Sequence, residues 1–103
     1  MIIPSSFTWF GKTWTVALVP KPDPRRSTAW AMTDTKAQKI TIDSDLAPET
    51  QQQCFIHELL HIVFLEMGLN QPLKIDDDQE EALVDAISNA LYSMIRQKVI
   101  VLE

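Results

Sequence analysis

Cysteine is nearly absent from this chain of 103 residues: Cys54 is the only one, and it cannot close an internal disulfide. The fold must therefore be held by packing or by a ligand. No apolar run exceeds four residues, as in Ile62 to Leu65, far short of the roughly 20 that span a bilayer. Basic side chains are scarce, nine against fourteen acidic ones, and the formal charge of −5 opposes a phosphate-binding surface. Neither a membrane nor a nucleic acid is expected as a partner. The one basic pair, Arg25-Arg26, is read as a solvated loop. Met1-Ile2-Ile3-Pro4 lacks the charged start and apolar stretch of a secretory signal, so a cytoplasmic protein is expected.

What remains is ordinary globular composition, 46% hydrophobic and 22% charged, at a length that suits one domain. The two halves differ in periodicity, which predicts α+β: a small antiparallel or mixed sheet of three to four strands, mainly within residues 1–46, packed on helices. Phe7 to Phe10 and Thr13 to Val19 flank Gly11-Lys12 and read as a hairpin. Pro20 to Pro24 has three prolines in five residues, cannot join a ladder and reads as a surface connection. Ala29 to Thr33 and Lys39 to Ile42 read as a second hairpin.

A helix is predicted over 47–68, with Pro48 suited to its first turn and Gly68 to the residue past its end. Its apolar residues, from Phe55 to Leu65, occupy nearly every side, as in a helix buried between other elements. A second helix is predicted over 76–97. It opens on Asp76-Asp77-Asp78, Asp78 and Glu81 have capping-box spacing, and Leu83, Val84, Ile87, Leu91, Met94 and Ile95 form its stripe. Val99 to Leu102 reads as a short strand or docked tail.

Within the first helix stands His57-Glu58-Leu59-Leu60-His61. At about 100° per residue the two imidazoles lie about 40° apart, one turn from each other, where both can reach one metal ion. Zinc suits them. Glu58 is close enough to take a proton from a metal-bound water without being a ligand. A catalytic zinc usually has three protein ligands, and with both histidines of the chain already used the third is a carboxylate or Cys54. Cys54 faces the same way but reads as a small core residue. Glu81 and Asp85, four apart, share a face, so Glu81 can bind zinc while Asp85 holds a histidine. Glu80, which on a helical wheel lies at the middle of the apolar stripe with Glu81 at its edge, is the competing ligand. Glu81 is favoured because only it has that partner four residues on.

His57-Glu58-Leu59-Leu60-His61, followed after a loop by Glu81-Ala82-Leu83-Val84-Asp85, resembles the gluzincin metallopeptidases, with their zinc-binding helix and later glutamate helix. At this size it is most similar to the minigluzincins and related short metallopeptidase-like proteins of phages and prokaryotes. The resemblance covers Lys39 to about Ile95. It implies a sheet over the active helix, with Lys39 to Ile42 near the cleft rim. For a peptidase, Lys39 to Ile42 is then expected to be the exposed strand edge to which an extended substrate adds. The chain departs from the large gluzincins in having no second subdomain and no spare histidine for an oxyanion. Tyr92, the only tyrosine, shares the face of Glu81 and Asp85, but at 1.5 Å per residue it lies about 16 Å from Glu81 along the axis, so packing is its simpler role. Trp9, Trp14 and Trp30 are read as sheet residues.

The resulting expectation is a monomeric zinc peptidase acting on a peptide or protein, with Glu58 as general base and acid. Its competitor is a zinc-stabilised binding or regulatory module that hydrolyses nothing. A latent form, with the tail or the N-terminal segment over the cleft, is a third arrangement.

Overall fold

The computed structural model describes residues 1–20 and 30–98. Among them the order is β1 (Ser6–Trp9), β2 (Lys12–Val19), β3 (Ala31–Asp34), β4 (Lys39–Asp43), α1 (Pro48–Met67), α2 (Asn70–Leu73) and α3 (Asp77–Arg96). The class is α+β, a four-stranded mixed sheet followed by helices. Lys21 to Arg26 and the tail Val99 to Leu102 lie outside the described residues.

The first hairpin turns on Phe10-Gly11, one residue earlier than its sequence suggested. Trp9 pairs with Lys12, and both turn residues have positive φ, 52° and 72°. That is the two-residue turn whose twist matches the flanking strands, and glycine takes its second position without strain. The second hairpin closes on Asp34, whose Oδ1 accepts from the backbone N–H of Lys36 (3.0 Å) and Ala37 (3.1 Å). Strand order is β1-β2-β4-β3, with β2 and β4 parallel and the other neighbours antiparallel. β4 is therefore internal. The expectation that Lys39 to Ile42 forms the exposed edge is corrected: the edge strand against α1 is β3. A reading by local hairpins could not detect this, because the β2–β4 pairing spans the intervening segment and the whole of β3.

Alternation puts Trp14, Ile40 and Ile42 on one sheet face, each at most 1% exposed, and they form the core with Phe55 and Ile62 of α1. α1 packs on β3 and β4 with one side and on α3 with another. It ends where expected: Gly68 is left-handed, its N–H bonds the Leu65 carbonyl, and the Leu69 N–H bonds that of Phe64. Leu65 and Met67 are exposed, so α1 is covered on fewer sides than its composition suggested.

α3 starts where expected, with Asp77 its first residue, but differs in its capping pair and its stripe. Asp76, not Asp78, caps it: Asp76 Oδ1 accepts from the Gln79 N–H (2.8 Å), and Gln79 Oε1 accepts from the Asp76 N–H (2.9 Å). Three consecutive aspartates can each cap, and the glutamine reaching back decides among them. The face turned to α1 runs Glu80, Val84, Ser88, Leu91 and Ile95, with Val84 and Ser88 fully buried, whereas Leu83, Ile87 and Met94 are 38–40% exposed. Apolar residues beside that face widened the apparent stripe, and the two polar residues within it hid its true centre.

Candidate metal centre

α1 and α3 run antiparallel in a register visible turn by turn. Gln53 donates to Asn89, His57 lies against Asp85, and His61 against Glu81. Steps of four on both helices keep these pairs on one seam.

Both histidines present Nε2 to the same carboxylate. His57 Nε2 is 2.9 Å from Glu81 Oε1, His61 Nε2 is 2.8 Å from Glu81 Oε2, and the two Nε2 atoms are 3.2 Å apart. Each Nδ1 faces a different acid: Asp85 Oδ1 at 3.0 Å from His57 and Glu80 Oε2 at 2.5 Å from His61. A ring nitrogen bonded to a carboxylate fixes the other nitrogen as the one free to bind a metal.

Donor atoms of His57, His61 and Glu81 all lie within 4.8 Å of one another. Two nitrogens bound at 2.0–2.1 Å to a tetrahedral zinc stand about 3.3 Å apart, close to the Nε2 separation found here. Two imidazoles and one carboxylate are a donor set for zinc that leaves a position open. These residues fit the ion. Glu80, the competing ligand, is instead turned to the far nitrogen of His61.

Cys54 is not in the group whose donor atoms converge. It packs against the core, and burial, then Glu58 and Asp43, push its thiol up to about 11, as for a small core residue. Tyr92 is engaged elsewhere: its hydroxyl donates to Gln52 (3.0 Å) and accepts from Arg96 (3.2 Å). Trp9 and Trp14 lie in β1 and β2, and Trp30 immediately precedes β3, exposed.

Glu58 is 8% exposed, on the α1 side facing β3. Burial pushes its carboxyl above the ordinary range; a hydrogen bond from Thr33 and the nearby His57 and His61 oppose this, and Glu81 adds to it. Thr33 Oγ1 donates to Oε1 at 2.9 Å, while Oε2 is 3.9 Å from His57 Nε2. Thr33 escaped the sequence reading. Its only trace was inward alternation with Ala31 on a strand, and that it meets Glu58 depends on how α1 crosses the sheet. Glu58 stands between two cavities, one of about 540 Å³ lined by Thr33, His61, Leu65 and Asp77, the other of about 330 Å³ lined by Trp30, Gln53, His57 and Asn89. A cavity thus lies on either side of Glu58.

Comparison with protein-family models, with curated proteins and with solved structures gave no match. Among the described residues no helix is long and apolar enough to cross a membrane.

Proposed function

We propose that the chain is a zinc-dependent peptide hydrolase of gluzincin type, a cytoplasmic monomer acting on peptide or protein substrates. The observation that carries this reading is the convergence of His57 Nε2 and His61 Nε2 on the Glu81 carboxylate with the buried Glu58 beside them. A site that served only to hold the fold together would have no use for that fourth group.

His57, His61 and Glu81 would hold the ion. When bound, zinc polarises the scissile carbonyl and brings the pKa of a water close to neutrality. Glu58 takes the water's proton and delivers it to the leaving amine, with no covalent intermediate. Burial makes its carboxylate more basic, which suits that task. Thr33 holds Oε1 and leaves Oε2 to exchange the proton. Among the described residues no strand pairs with the outer edge of β3, so an extended substrate can add there by main-chain hydrogen bonds, its side chains entering the two cavities.

The engagement of Tyr92 with Gln52 and Arg96 favours a second reading, a zinc-binding module without hydrolysis, because it takes away the one tyrosine that could steady an oxyanion. Bound zinc and cleavage of a mixed peptide library, measured for wild type, Glu58→Gln and Glu81→Ala, separate the two. Hydrolysis by wild type that is lost in Glu58→Gln at full zinc content supports the enzyme. Zinc binding without cleavage supports the module.

A further inference from the structure

We infer that Glu80 is a positioning residue of the metal centre, the anchor of His61, and that it contributes more to metal affinity than Asp85. The inference rests on the metal reading above and goes beyond it in assigning Glu80.

Glu80 Oε2 lies 2.5 Å from His61 Nδ1, shorter than the 3.0 Å between Asp85 Oδ1 and His57 Nδ1. The side chain of Glu80 is 19% exposed and that of Asp85 is 60% exposed. A hydrogen bond to a carboxylate is stronger when shielded from water, so the His61 anchor is the firmer of the two. Its effect is twofold. It keeps the Nδ1 proton in place, so that Nε2 presents a lone pair to the ion, and it increases the basicity of the ring. Helix geometry accounts for the pairing. At about 100° per residue, Glu80 lies about 100° to one side of Glu81 and Asp85 about 40° to the other. The ligand is thus flanked by two anchors, one for each histidine that it meets.

The test is zinc affinity by chelator competition for wild type, Glu80→Ala, Glu80→Gln and Asp85→Ala, with folding monitored by circular dichroism and the cobalt(II) absorption spectrum recorded at saturation. Glu80→Ala is expected to weaken zinc binding about 10- to 100-fold. Glu80→Gln, whose amide oxygen still accepts from Nδ1, should recover most of that loss. Asp85→Ala should fall less than Glu80→Ala, and all four proteins should share one cobalt spectrum. A merely structural role at the start of α3 would lower stability without this order or the rescue by glutamine. Affinity unchanged in Glu80→Ala, no rescue by Glu80→Gln, or a larger loss in Asp85→Ala would overturn the inference while leaving the zinc site standing. Loss of the four-coordinate cobalt spectrum in Glu80→Ala would also overturn it, because Glu80 would then be a ligand. Wild type that takes up no zinc would overturn both readings.

Discussion

Replacing Glu81 by alanine removes the carboxylate that both Nε2 atoms face, at 2.9 and 2.8 Å, and leaves two imidazoles on one turn of α1. Groups that only orient a ligand are worth about 10- to 100-fold in metal affinity, so losing the ligand itself should cost at least about 100-fold. Linkage turns this into a thermal shift. Free zinc at 100 times the wild-type Kd stabilises the folded chain by about 2.7 kcal/mol, which at 4–8 °C per kcal/mol raises the Tm of a domain of this size by about 11–22 °C. The same zinc concentration then only equals the Kd of Glu81→Ala, giving about 0.4 kcal/mol and about 2–3 °C. Tryptophan fluorescence is a direct probe, since Trp14 is buried in the core. Melting each protein with chelator and with buffered zinc isolates the zinc-induced increment from any change in the metal-free protein. An increment in Glu81→Ala equal to that of wild type would refute Glu81 as the third ligand.

Glu58→Gln should keep the zinc increment and lower peptide hydrolysis about 10²- to 10⁴-fold, read from initial rates on a cleaved library peptide; undiminished activity would exclude Glu58 as the base. In metal-free protein the same substitution should also change the pH profile of stability. Because the folded carboxyl of Glu58 is raised, the stability it lends is complete below the ordinary value of about 4.3 and is lost as pH rises through the folded value. Glu58→Gln should therefore gain stability relative to wild type from about pH 4 upward in urea titrations, and a pH-independent difference would contradict this. Asp76→Ala, which removes the cap of α3, should cost about 1 kcal/mol, or about 4–8 °C in Tm, whereas Asp78→Ala should leave Tm nearly unchanged. Equal losses in the two would mean that the cap is shared.

Features set within a few residues were legible in the sequence. Pro48 and Gly68 delimit α1 through their own backbone preferences, and the four-residue spacing of His57 and His61 puts them on one face of any helix. Features set by what lies opposite were not. The third of three aspartates had the spacing of a cap, yet Gln79 selects the first. Lys39 to Asp43 reads as a strand, but its place inside the sheet depends on a parallel pairing with β2 that no local pattern records. Glu80 was visible at the middle of the α3 stripe, where a carboxylate is costly without a partner. That the partner is His61 requires the register of α3 on α1.

That register is the feature on which the site depends most. Each histidine meets its acids only because Gln53, His57 and His61 face Asn89, Asp85 and Glu81 in successive turns. A shift of α3 by one residue would rotate the acids by about 100° and separate Glu81 from both Nε2 atoms. Val84, between Glu81 and Asp85, and Ser88, between Asp85 and Asn89, are buried along the seam, and the Ser88 hydroxyl is satisfied within α3 by the Asp85 carbonyl at 3.1 Å. The residue beside Asp85 on the buried seam therefore also closes a hydrogen bond to Asp85's own backbone. Packing and the meeting of two histidines with three acids are thus set in the same two turns of helix.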